Sequence, residues 1–157
     1  MNDISQPQTK PNRLIKKSYL KLVRNSVGTK MFRNFYLKQD GNVFDVTKGG
    51  ELSCAFYVSS LLVIFQLIKN VHGTVESTRK DLEESGWTKT DQPTPGSVII
   101  WQAIQDDEDS NEHIGFYVGR DKAISNNSRK KKIAMHNWTY DNARKVIAIY
   151  SNPILSK

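Results

Sequence analysis

The amino-acid sequence predicts an α+β fold, with helices in the N-terminal half and an antiparallel sheet of about four to six strands in the C-terminal half. Three observations carry this. An almost unbroken apolar run, Ala55 to Ile68, reads as a central helix buried on most sides. Helix signals stop at Gly86, and from Trp87 short apolar segments alternate with turn residues. Those segments follow one another as a meander, which argues for antiparallel pairing.

Met1 to Pro11 is polar and reads as a flexible tail, and the length of 157 residues suggests one domain over residues 12–157. Asn12 to Asn25 predicts an amphipathic helix. Ile15, Tyr19, Leu22 and Val23 share one face, while Lys16, Lys17, Lys21 and Arg24 lie largely elsewhere. Met31, Phe32, Phe35 and Tyr36 predict a short second helix, making 12–39 a basic helical segment. Gln39 to Gly50 reads as a loop. Gly49-Gly50 breaks the chain before the run Glu51 to Asn70, for which Ser53 is the N-cap. The run ends near His72, which favours the helix dipole there. Thr74 caps a third helix with Val75 and Leu82 inside, and Gly86 stops it.

In the second half, residues 97–102, 113–119, 122–125, 133–138 and 146–150 predict strands. Pro93 to Gly96 and Arg120-Asp121 read as turns. Gln105 to Glu112 reads as an acidic loop, and Asn126 to Lys132 as a polar, basic one. Trp101 and Trp138 read as packing residues.

The net charge of +7 is unevenly placed. Before Asp40 nine lysines and arginines face one acid, Asp3; from Asp40 onwards fourteen face fifteen acids. The basic segment could attract an anionic partner, or it is the solvated face of a helix. One cysteine excludes a disulfide framework and a cysteine-based zinc site, and three scattered histidines predict no metal site. The apolar run is too short and interrupted to span a bilayer, which needs about 20 apolar residues. No signal peptide is visible, so the chain as given reads as cytoplasmic unless it is exported by another route.

Cys54 lies in the first turn of the central helix. Free N–H groups and the dipole favour a thiolate there. A cysteine on an apolar helix can equally be a small core residue. His113 opens a strand, where the sheet can fix the orientation of a general base. The two lie 59 positions apart, and spacing alone does not bring them together.

The segments SCAFYVSSLL, PGSVIIW, HIGFYVG and KAISNNS, in that order, resemble the NlpC/P60 cysteine peptidase family. The resemblance covers roughly Asp45 to Asn127 and implies a minimal papain-like core. It implies Cys54 as nucleophile within Ser53 to Val58, and His113 as base. The cysteine precedes the histidine, as in the peptidase branch rather than the permuted acyltransferases. The family's third polar residue falls about a dozen positions after the histidine, at Ser125. Asn126 beside it is the better orienter, reachable through a one-residue shift, because its amide oxygen accepts a ring N–H. His136 is the further candidate. Asn42 stands near the place of an upstream oxyanion tyrosine, which leaves the backbone N–H of Cys54 as the oxyanion contact.

The resemblance implies a thiolate–imidazolium pair that hydrolyses an amide through a thioester, with no metal or organic cofactor. It implies peptide substrates of the cell-wall (peptidoglycan) type. Two other readings use the same residues. One is an acyltransferase or deamidase with the same pair. The other is a non-enzymatic binding module that docks its basic N-terminal helices on an anionic partner.

Overall fold

The computed structural model describes residues 9–104 and 111–156. Most of the N-terminal tail and Gln105 to Ser110 of the acidic loop lie outside the described residues. Helix α1 is Ile15–Asn25, α2 Cys54–Ile64 and α3 Val75–Glu84. A hairpin of β1 (Tyr36–Gln39) and β2 (Asn42–Asp45) separates α1 from α2. After α3 come β3 (Thr88–Lys89), β4 (Val98–Trp101), β5 (His113–Gly119), β6 (Lys122–Asn127), β7 (Lys132–Asn137) and β8 (Val146–Ser151). These six form one antiparallel sheet in the order β3-β8-β4-β5-β6-β7. The α+β class read from the sequence is the class observed. No helix among the described residues is long and apolar enough to cross a membrane.

Side chains alternate across this sheet. One face presents Val98, Ile100, Ile114, Phe116, Ile124 and Ile133 to α1 and α2, forming the main core. The other presents Ile99, Trp101 and Ala123, packed with Tyr117, Trp138, Tyr140 and Val146. β4 is therefore covered on both sides, which is why VIIW shows no polar alternation. Tyr19 and Tyr57 meet Phe116 edge-on, tying α1 and α2 to β5.

Three expectations need correction. The segment around Met31 to Tyr36 is not a helix. Tyr36–Gln39 pairs with Asn42–Asp45 through an Asp40-Gly41 turn, whose φ angles of 49° and 82° are those of a tight hairpin turn. The aromatic spacing masked an Asp-Gly signal.

The central helix spans eleven residues, not the whole run. It stops because Gln66 turns left-handed at φ 57°. Gln66 N–H then bonds Val63 O, and Leu67 N–H bonds Leu62 O, both at 2.9 Å, which closes the last turn. Leu67 and Ile68 continue into the core as coil.

His72 is consequently far from the helix end. Its Nε2 lies 2.7 Å from the carboxylate of buried Asp81. That carboxylate also accepts the N–H groups of Lys69 and Asn70 and the Ser85 hydroxyl. Burial works to raise the Asp81 pKa, but these bonds prevail and bring it to about 2.

Candidate active site

The chain before Cys54 is held in a shape no helix can extend into. Gly49 and Gly50 sit at φ 67° and 109°. Asp45 ties the loop, accepting the N–H groups of Phe35, Thr47 and Gly49 and the Thr47 hydroxyl. Burial works against its charge, but these bonds hold the carboxyl well below the usual range. A Cβ on Gly50 would lie 2.9 Å from Lys131 Cβ, so the loop passes close to the β6–β7 turn. Ser53 stands at the N-cap as expected. Its hydroxyl makes no capping bond and, though buried, has no partner among the described residues.

Cys54 is the first residue of α2 and is partly buried. The backbone N–H groups of Ile114, Ala55 and Cys54 itself act on its sulfur to favour the thiolate. The β5–β6 ladder is in register from Gly115 opposite Ser125, so His113 and Ile114 precede it and meet the start of α2. Cys54 and His113 thus line one cleft of about 340 Å³, together with Asn111, Glu112, Arg129 and Arg144. A second hollow of about 420 Å³ is also lined by Cys54, with Val46, Leu52, Ala55, Val75 and Glu76. The thiol stands where the two meet.

Burial pushes the Cys54 thiol pKa up, against the pull of its backbone donors and of Arg144. It pushes the buried His113 imidazole well below its ordinary 6.5, with Arg144 and His136 adding to the effect. Both groups are therefore uncharged at neutral pH. This differs from the thiolate–imidazolium pair that the resemblance implies, because desolvation outweighs the backbone donors and Arg144 at the thiol.

The structure also separates the third-residue candidates. His113 Nε2 lies 2.9 Å from Ser125 Oγ. Asn126 points to the opposite face of β6, where its Nδ2 donates to Gly50 O at 2.8 Å. The shift that would bring Asn126 round is absent, since β6 and β7 pair without interruption from Lys122 to Asn127. His136, on β7, is not isolated. Its Nε2 lies 2.7 Å from Ser125 Oγ. Asn42 lies exposed at the start of β2 and does not line either hollow.

Two residues that sequence reasoning passed over complete the site. Tyr140 stacks on His136 with ring centroids 4.0 Å apart, and its hydroxyl lies 3.2 Å from Ser125 Oγ. Arg144 donates from Nε to Gln102 O at 2.7 Å and from Nη2 to Asn111 O at 3.1 Å. Neither carries a local motif. Tyr140 follows a strand, and Arg144 reads as one of a basic pair before the last strand.

Neither a protein-family model nor a curated protein sequence matches the chain. A solved structure does share its fold. NlpC2 from Trichomonas vaginalis superposes with a TM-score of 0.55 over 92% of this chain, at 14% sequence identity. The match takes in 51% of NlpC2, so the chain spans about half of that protein's length. At this identity the likeness is one of fold.

Proposed function

We propose that the chain is a cysteine hydrolase of amide bonds in peptides, with Cys54 as nucleophile and His113 as general base. The observation that carries this is the shared cleft. The only thiol in the chain opens a helix and shares a cleft with a buried imidazole whose Nε2 is already engaged by Ser125. The resemblance to NlpC/P60 segments and the likeness in fold to NlpC2 support the reading.

Because both groups start uncharged, His113 takes the thiol proton as sulfur attacks the carbonyl carbon. The S–C bond forms, and the carbonyl oxygen becomes an oxyanion near the backbone N–H of Cys54. As the intermediate collapses the C–N bond breaks, and His113 returns the proton to the leaving amine. A water molecule then gives a proton to His113, attacks the thioester and releases the acid and the thiol.

The test is incubation with cell-wall-type peptides, followed by assay for new amine ends. Wild type should release amine, and Cys54→Ala and His113→Ala should not. Release unaffected by either variant overturns the proposal. Salt-sensitive binding to polyanions that Cys54→Ser leaves intact, without any turnover, would favour the basic N-terminal segment as the functional element instead.

A further inference from the structure

Behind His113 the hydrogen-bond chain continues, and its far end fixes its direction. His136 Nδ1 lies 2.7 Å from the backbone oxygen of Asn137. A carbonyl oxygen only accepts, so His136 Nδ1 carries a proton. In the neutral ring Nε2 is then a bare acceptor, and burial favours that neutral form. Its partner is Ser125 Oγ at 2.7 Å, so the serine proton points at His136. Ser125 Oγ keeps two lone pairs. Two donors reach them, His113 Nε2 at 2.9 Å and the Tyr140 hydroxyl at 3.2 Å. Every hydrogen-bonding capacity of the serine oxygen is thereby used once. The proton of neutral His113 sits on Nε2, which leaves Nδ1 as the basic nitrogen of the ring.

Tyr140 takes its place at a backbone cost. Tyr140, Asp141 and Asn142 are consecutive non-glycine residues at φ 52°, 53° and 65°. Left-handed residues other than glycine are strained and normally occur singly. Such runs persist where the surroundings over-determine them, and functional sites are where they gather. The turn stacks the Tyr140 ring on His136 and brings its hydroxyl to Ser125.

We propose that His136 is a positioning residue which, through the Ser125 hydroxyl, fixes the proton of His113 on Nε2 and so keeps Nδ1 free to accept the Cys54 proton. Tyr140 supports it by filling the remaining lone pair of Ser125. The proposal rests on Cys54 and His113 being the reacting pair. A serine by itself cannot enforce a tautomer, because its hydroxyl donates as readily as it accepts. The acceptor on β7 supplies the missing direction.

The experiment uses the full chain with 15N-labelled histidine, in which three imidazoles must be assigned. Long-range 15N–1H correlations report which nitrogen of each ring is protonated, without any substrate. In wild type at neutral pH His113 should show one tautomer, with the proton on Nε2. His136→Ala should leave a folded protein in which His113 populates both tautomers, and peptide turnover should fall roughly ten-fold or more. His136→Gln, whose amide oxygen can still accept from Ser125, should restore the single tautomer and most of the turnover.

Unchanged His113 tautomer in His136→Ala overturns the proposal, as does failure of both variants to differ in tautomer. Tautomer control by His136 in a protein that turns over no peptide would sink the hydrolase reading and leave the relay standing.

Discussion

Gly115 lies directly across the β5–β6 ladder from Ser125, and nothing larger than its hydrogen fits between them. A Cβ there would stand 2.7 Å from Ser125 Cβ, 2.8 Å from Ile124 O and 3.0 Å from the Trp101 ring. Two of these neighbours are backbone or a β-carbon and cannot swing aside. The glycine two residues after His113 therefore has a physical purpose: it lets β5 and β6 close tightly enough for His113 to reach Ser125. Gly115→Ala should destabilise the fold by about 1–3 kcal/mol, the usual cost of overpacking. It should also lower Cys54-dependent turnover in the protein that remains folded. Thermal melts and turnover of the same preparation check both.

Burial favours the uncharged forms of Cys54 and His113, and this sets the expected pH behaviour of the thiol. Iodoacetamide should label Cys54 slowly at pH ~6, with a midpoint above the value of about 8.5 for an unperturbed cysteine. Fast labelling near pH 6 would instead reveal a thiolate–imidazolium pair and contradict the desolvation argument. The same burial makes stability depend on pH. The fold favours neutral His113, so stability falls as pH drops below 6.5 towards the lowered folded-state pKa. The fold favours protonated Cys54, so stability also falls as pH rises above the ordinary thiol value of 9.0. Denaturant midpoints across pH, in wild type, His113→Gln and Cys54→Ala, separate the two limbs.

Arg144 places a cation within electrostatic reach of the thiol, and its side chain donates to the backbone oxygens of Gln102 and Asn111. Its charge is free to act on the cleft. Wild type should therefore react with anionic iodoacetate better, relative to neutral iodoacetamide, than Arg144→Gln does. A charge interaction of about 1 kcal/mol corresponds to a change of about five-fold in that ratio. An unchanged ratio would show that the guanidinium serves only to hold Gln102 and Asn111.

Gln66 occupies the left-handed position that closes α2, where glycine is the usual residue. Its side chain is exposed. Gln66→Gly should relieve the strain and stabilise the protein by up to about 1 kcal/mol, raising the melting temperature by roughly 2–4 °C for a chain of this size. A lower melting temperature would mean that the added freedom of the unfolded chain outweighs the relief.

Much of the fold was legible because its signals are local. His113–Gly119 was read to the residue, since a strand bounded by a turn with two left-handed residues, Arg120 and Asp121, has sharp ends. Thr74 was read as a cap, and its hydroxyl does accept Ser77 N–H. The errors fell where two signals competed. Aromatic spacing suggested a helix over a segment that an Asp-Gly turn makes a hairpin. Apolar continuity hid the end of α2, because residues 67 and 68 are buried whether helical or not.

At the site, Cys54, His113 and the two alternatives Ser125 and His136 were all singled out from sequence. The preference for Asn126 failed on strand parity. Adjacent residues of β6 face opposite ways, and chemistry cannot override that without a bulge. Tyr140 and Arg144 were invisible because they reach the site from loops whose course only the folded sheet defines.

His136 sits on β7, the outermost strand of the sheet; beyond it, among the described residues, Gly28 and Thr29 bond the backbone of Ile133, near the other end of the strand. Edge strands are the first to part from a sheet when local openings occur. The nucleophile helix and the strand carrying His113 lie in the interior, but the atom that orients them hangs from the rim. Competence of the site is thus tied to a less stable unit than the core that houses it. On gentle warming, turnover should decline while near-ultraviolet signals from the buried aromatics persist, and amides of β7 should exchange with solvent sooner than those of β5. Simultaneous loss of all three would mean that the rim and the interior open as one.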